Sequence, residues 1–231
     1  MKRFLLIGAA AAAALLPATA SAKVVELGSK IPTAQVSCPM NCQAVGRVTG
    51  YQGRGGAVRD PFIIKRAGKI VAFTIRLGAP DANQQRFFED LYGGTSQVRL
   101  SILTRITRGP RTRRGHQLIA QSPAFRLNDF FGTAPTFVLD KPIPVARNNI
   151  VAMTVPTWAP TFAVALGRDY WWRSSRQRRR CDNVSQRAQQ VRLMSVEVFG
   201  CTYFTARVYY TVTYVPDNKP RRDATRSGSR R

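Results

Sequence analysis

Apolar and polar positions alternate at period two along much of this chain, in short β-branched and aromatic runs separated by Gly, Pro, Asn and Asp. Such spacing predicts strands buried on one face, and many of them in one chain predict a sandwich or barrel. Strands are expected near residues 44–51, 62–65, 69–77, 97–104, 117–122, 136–139, 149–155, 161–166, 191–199 and 203–215. In the last of these, Ala206, Val208, Tyr210, Val212 and Tyr214 fall on one face, and Thr205, Arg207, Tyr209, Thr211 and Thr213 on the other. That is the pattern of a half-buried antiparallel strand.

One segment has helical spacing instead. Asp81 can cap an N-terminus with Gln84 at the capping-box position, Phe87 and Leu91 supply an apolar side with Phe88 as a third candidate, and Gly93-Gly94 end the run. A helix there is expected to act as a lid over one open end of the sheets. The fold class predicted is all-β, an antiparallel β-sandwich of jelly-roll type with one short helix and a long basic loop.

Three segments break the β pattern. Residues 105–115 carry five arginines around Gly109-Pro110 and read as a solvated hairpin tip. Residues 167–190 form a long excursion that contains Tyr170-Trp171-Trp172-Arg173 and then Arg176, Arg178, Arg179 and Arg180. Residues 216–231 are a polar, basic tail with too little apolar surface to order itself. At the other end, residues 23–37 lack a clear period and read as a lead, with an edge strand at 24–27 as its only regular element. The sandwich domain is therefore placed at 38–215, with no internal repeat and no linker inside it.

The first 22 residues have the three parts of a secretory signal: Lys2 and Arg3, an apolar run over 4–16, and Ala20-Ser21-Ala22 as a cleavage site before Lys23. The run of 13 residues is shorter than the ~20 that span a bilayer, and no later segment has the length and apolarity to cross one. The expected product is a secreted or cell-envelope-associated protein of 209 residues with no transmembrane segment after cleavage. A chain of that size buries ~70% of its unfolded surface. Its four cysteines, Cys38, Cys42, Cys181 and Cys201, predict two disulfides in an oxidising compartment. Three pairings can be drawn. Cys38–Cys42 with Cys181–Cys201 is favoured, because the second bridge would close the base of the excursion and contribute ~3 kcal/mol by loop entropy, against ~2 kcal/mol for the small first ring.

The formal charge of +24 falls to +22 when Lys2 and Arg3 leave with the signal. A field of that size attracts polyanions such as nucleic acid, acidic wall polymers, uronic or sulfated polysaccharides and anionic lipid head groups. Export and the lack of helix-turn-helix, ribonucleoprotein or zinc spacing disfavour nucleic acid. The candidate ligand-binding residues are Trp158, Tyr170, Trp171, Trp172, Arg173, Arg176, Arg178, Arg179 and Arg180. Aromatic faces stack on sugar rings and bases while arginine takes phosphate or carboxylate. The competing reading is that the aromatics pin the loop to the sheets, since large aromatics are buried on average, and that the arginines form a solvated loop whose composition partly follows the genome.

Catalytic chemistry finds little footing. Cys38-Pro39-Met40-Asn41-Cys42 has three intervening residues rather than the two of a thioredoxin-like site, and the chain holds a single histidine, so neither a redox motif nor a metal site is expected, and no cofactor. His116 has no acidic neighbour in sequence, and there is no Gly-x-Ser-x-Gly elbow. A glycosidase would need two carboxylates ~5 to 9 Å apart, and Glu89, Asp90, Asp129 and Glu197 are the acidic residues nearest structured elements. Glu89 and Asp90 read more simply as helix-surface groups and Asp129 as a turn residue.

Gly46-Arg47-Val48-Thr49-Gly50-Tyr51, Val155-Pro156-Thr157-Trp158-Ala159-Pro160, Trp172-Arg173-Ser174-Ser175-Arg176 and Ala206-Arg207-Val208-Tyr209-Tyr210-Thr211 resemble an uncharacterised family of exported bacterial proteins. The resemblance covers residues 38–215. More loosely, Gly68-Lys69-Ile70, the run from Val98 to Leu103 and Pro142-Ile143-Pro144-Val145 are similar to jelly-roll modules of secreted proteins, which share only architecture with carbohydrate-binding sandwiches. The resemblance implies fold and compartment and carries no activity. The functional expectation is a non-catalytic binding protein for an anionic polymer or wall polysaccharide; the alternatives are an extracellular carbohydrate-active hydrolase and a purely structural exported domain.

Overall fold

The computed structural model describes residues 23–107 and 115–218. The expected signal peptide, the tip of the arginine hairpin and most of the basic tail lie outside the described residues. Within them the chain is all-β with one α-helix. In order come β1 (Val25–Leu27), β2 (Val45–Gly55), β3 (Val58–Arg59), β4 (Gly68–Ile75), α1 (Ala82–Tyr92), β5 (Gln97–Ile106), β6 (Gly115–Gln121), β7 (Phe125–Arg126) and β8 (Thr136–Val145). After these follow β9 (Ile150–Ala159), β10 (Phe162–Ala163), β11 (Trp171–Ser174), β12 (Val196–Glu197), β13 (Cys201–Phe204), β14 (Arg207–Val208) and β15 (Tyr210–Pro216).

Two antiparallel sheets face each other. The smaller runs β1-β15-β4-β8, and the larger runs β12-β6-β5-β9-β2-β11-β13, with β3 and β7 as short additions, while β10 and β14 pair as a separate two-stranded sheet. Alternation explains the packing. Ile70, Phe73, Ile75, Val212 and Tyr214 from the small sheet meet Val48, Leu100, Ile102, Val151 and Met153 from the large one in a single buried core. Burying a side chain of this size contributes roughly 1.5–3 kcal/mol, so this inter-sheet layer is the main source of stability.

Several expected strands are shorter or differently placed. Residues 62–65 form no strand. Phe62 and Ile64 are buried, but the segment joins the large sheet only through a bridge between Ile63 and Ile150 and the bond from Ile64 N–H to the Asn149 carbonyl. The expected strand at 191–199 shrinks to β12, interrupted by a left-handed Met194 with φ 65°. The expected continuous strand at 203–215 divides into β13, β14 and β15, because Tyr209 leaves one partner for another: its N–H bonds the Thr161 carbonyl and its carbonyl accepts from the Arg76 N–H. The folded unit also starts before Cys38, since Val25, Glu26 and Leu27 pair with Tyr214, Thr213 and Val212 at the edge of the small sheet.

The helix forms where its signals are. Asp81 accepts from the N–H groups of Asn83 and Gln84, the Gln84 side chain accepts from the Asp81 N–H, and left-handed Gly93 closes the C-terminus. Its buried side differs from the expected one. Phe88 and Tyr92, at i and i+4, face inward, while Phe87 is 60% exposed. Phe88 lies 5.1 Å from the Trp158 ring, so the helix seals the end of β9.

Candidate functional site

The expected excursion begins as a strand of the large sheet, β11, paired between β2 and β13, and only the residues after it, 175–199, form a strap across that sheet's outer face. At its start, Ser175 N–H bonds the Thr49 carbonyl and the Ser175 hydroxyl donates to the Ala188 carbonyl. Farther on, Ala188 runs beside Val48, Gln190 sits over β2 and β9, and Ser195 and Met194 bond both backbone groups of Leu118 on β6. The strap ends with Phe199 packed on Tyr51 and His116, 5.7 and 4.3 Å between ring centres. Both faces of the large sheet are therefore covered, the outer one by a second apolar cluster of Tyr51, Leu103, Leu118, Ile150, Ala152 and Phe199.

Two disulfides fix the ends. Cys38–Cys42 and Cys181–Cys201 are both formed, the pairing expected. Beside the second bridge, the Arg176 guanidinium donates to the carbonyls of Cys181 at 2.8 Å and Gly46 at 3.3 Å. It also lies against the Tyr92 phenol, whose pKa is raised by burial while the positive charges of Arg176 and Arg47 oppose that rise. Arg176 thus joins strap, sheet and helix, and at 8% exposure it is a structural anchor rather than a ligand-facing group.

The other expected site residues separate into two sets. Trp158 is fully buried beneath α1, with its indole N–H donating to the Gly94 carbonyl at 3.1 Å. Trp172 is 4% exposed, stacked on Tyr203 at 4.6 Å and edge-on to Phe162. Neither ring has a free face to offer a ligand, which corrects their assignment as ligand-binding residues: apolar area drives both into the core. Tyr170 and Trp171 are half-buried, and Gly53 sits so close that a Cβ there would overlap the Trp171 ring. Arg173 is half-buried opposite Tyr51 and acts with Arg105 on the His116 imidazole. His116 is buried at the Tyr51 hydroxyl, 3.3 Å away; burial first, and then these two arginines, lower its pKa from 6.5 to about 4.

Arg178, Arg179 and Arg180 are exposed on a turn just before Cys181. The turn is held from within: Arg180 N–H bonds the Gln177 carbonyl, Gln177 N–H bonds the Gln186 amide oxygen at 3.1 Å, and the Gln186 amide donates to the Arg180 carbonyl. Gly200 allows its close approach, since a Cβ there would strike the Arg178 backbone nitrogen.

An aromatic depression that no sequence pattern announces is joined to this turn through Tyr203. Tyr203, Phe204, Phe162 and Asn41 line an open hollow of about 670 Å³, and the Tyr203 hydroxyl donates to the Cys181 carbonyl at 2.6 Å. Phe204 is 53% exposed. The clue in the sequence was the alternation through Cys201-Thr202-Tyr203-Phe204, but it could not tell which aromatics would cover Trp172 and which would face outward.

Of the five principal cavities, one holds a carboxylate, Asp140, so among the described residues these cavities place no pair of carboxylates across a cleft. The described residues contain no cluster of three His, Cys, Asp or Glu that could hold a metal, and no helix long and apolar enough to cross a membrane. No protein-family model, characterised protein or solved structure matches the chain.

Proposed function

We propose that this is an exported, envelope-associated binding protein for an anionic polymer, with uronic or otherwise acidic wall polysaccharide as the ligand class. The binding surface in this reading is the turn of Arg178, Arg179 and Arg180 together with the hollow lined by Tyr203 and Phe204. One observation carries it: the Tyr203 hydroxyl bonds the Cys181 carbonyl, which ties the aromatic hollow to the arginine turn at a disulfide-fixed point. Preorganised charge loses less entropy on binding than a free loop does, and aromatic faces beside arginine suit sugar rings bearing carboxylates. Export rests on the N-terminal signal pattern and the resemblance to exported bacterial proteins.

A purely structural exported domain is the second reading, favoured by the burial of Trp158 and Trp172 and by the strap lying flat on the sheet. One experiment separates the two. Retention of the mature protein, from Lys23 onward, is measured on purified cell walls and on polygalacturonate over a salt series, with the wild type beside a variant carrying Arg178→Ser, Arg179→Ser and Arg180→Ser and a second carrying Phe204→Ser. Loss of retention at physiological salt in both variants is expected. Unchanged retention in both would refute the binding reading and leave the structural one.

A further inference from the structure

Arg207 belongs to the polar face of an expected strand, yet it is only 1% exposed. Its Nη1 donates to the carbonyls of Pro32 at 2.7 Å and Ile31 at 3.4 Å, in the segment that leads from β1. Its guanidinium lies 3.7 Å from the centre of the Tyr209 ring. Its Nε is buried with no hydrogen-bond partner among the described residues. Burial lowers its pKa; the phenols of Tyr209 and Tyr170 oppose that shift, and the like charge of Arg76 adds to it. A buried guanidinium is normally held by a carboxylate that fills its fork. Among the described residues its contacts are two carbonyls and Tyr209, and none of them is a carboxylate.

The same residue lines a cavity of about 220 Å³ between the lead segment and the small sheet. Arg76, exposed and 5.5 Å from the Tyr209 ring, stands in the same lining, along with Thr33, Thr74 and Thr211. The lining holds two arginines, the hydroxyl residues Ser29, Thr33, Thr74 and Thr211, and no acidic residue; the Thr74 hydroxyl also bonds Thr136 at 2.7 Å. The volume exceeds that of a single water, about 30 Å³, and suits a carboxylate or a tetrahedral oxyanion.

We infer that this cavity is a binding site for one small oxyanion, with Arg207 as the inner ligand, Arg76 as the outer one and the threonine hydroxyls as further donors. The site is separate from the arginine turn and does not depend on polymer binding. Tyr209 keeps the inner arginine in place by stacking on it, and the lead segment forms the wall that keeps Arg207 out of bulk water.

The test uses the mature protein with 15N-labelled arginine, titrated with sodium sulfate and separately with sodium acetate at constant ionic strength, chloride being the replaced anion. The expected result is a saturable shift of the Arg207 Nε–H resonance with one ion per chain, for at least one of the two anions. Arg76→Ala, at an exposed position, should weaken that binding about tenfold by removing one charge-assisted contact. The serine variant of Arg178, Arg179 and Arg180 should leave it unchanged, which separates this site from the polymer surface. An Arg207 shift that never saturates with either anion, or an affinity indifferent to Arg76→Ala, would overturn the inference.

Discussion

Gln190 donates its backbone N–H to the Thr49 hydroxyl at 2.8 Å, joining residues 141 apart in sequence. The bond belongs to a buried polar row that crosses four strands. Thr49 contacts Thr154 at 2.8 Å, Thr154 contacts Ser101 at 2.7 Å, and the Gln121 amide donates to Ser101 at 2.8 Å and back to the Gln190 carbonyl at 2.9 Å. The row runs from β2 through β9 and β5 to β6, and Gln190 closes it over the top. Hydroxyls at positions that would otherwise be apolar receive the strap: Thr49, Thr154 and Ser101 bond one another, and Thr49 and Thr154 also meet the Gln190 backbone.

Gln190→Ala should therefore loosen the strap. The substitution removes the bonds from the side-chain amide to the carbonyls of His116 at 2.9 Å and Ser195 at 3.2 Å, while the Ser195 carbonyl keeps its bond from the Leu118 N–H. A loss of about 1–3 kcal/mol is expected. In hydrogen exchange, the amides of Ala188, Met194 and Leu118 should lose protection well before those of the inter-sheet core. Equal loss in both regions would mean that strap and core open as one unit.

The disulfide at the strap's base makes a second prediction. Replacing Cys181 and Cys201 together with serine releases a closed segment of sequence separation 20, and loop entropy puts the cost at about 3 kcal/mol. The same change at Cys38 and Cys42, with separation 4, should cost about 2 kcal/mol. Urea denaturation of the two variants checks the order, and a reversed order would show that native contacts around Cys38 outweigh chain entropy.

Local signals were legible in the sequence where neighbouring residues decide the outcome. The capping box at Asp81 and Gln84, the glycines ending α1, the alternation over residues 210–216 and the favoured disulfide pairing all depend on short-range chemistry or on the clustering of cysteines at the ends of one loop. Trp158 was not legible, because what buries it is Phe88, 70 residues earlier, on a helix whose spacing names Phe88 as a candidate but does not say which side faces inward. Arg207 was not legible either. Alternation assumes that a strand keeps one pair of neighbours, and the chain changes sheets at Tyr209, so a residue on the expected polar face turns inward under the lead segment. The candidate site divides in the same way. The exposed arginines 178–180 follow from composition, while Tyr203 and Phe204 beside them depend on how β13 pairs with β11.

Gly53 is required by the ring of Trp171. The β2–β11 register shifts between Trp171 and Trp172, and the Trp171 indole lies against Gly53 at that irregularity. Gly53→Ala should push the indole outward, at a cost of about 1–3 kcal/mol from overpacking. Acrylamide quenching should rise, since Trp158 and Trp172 stay buried and Trp171 is the one indole free to move. Unchanged quenching with unchanged stability would show that β2 shifts instead of the ring.

His116 makes stability depend on pH. Its pKa in the folded chain is about 4, against 6.5 for an ordinary histidine, because burial against Tyr51 and Phe199 disfavours the charged ring and Arg105 and Arg173 repel it further. Between those values the unfolded chain binds a proton that the folded chain does not. The stabilisation is therefore complete above about pH 6.5, declines as pH falls, and is lost by about pH 4, a total of about 3 kcal/mol. His116→Gln should remove that part of the slope while costing some stability at neutral pH through the lost contacts with Tyr51 and Phe199. Urea midpoints measured at pH 7.5 and pH 4.5 for the wild type and the variant decide the matter. A wild-type difference matched by the glutamine variant would assign the acid sensitivity to the carboxylates, and a smaller difference in the variant assigns it to this imidazole.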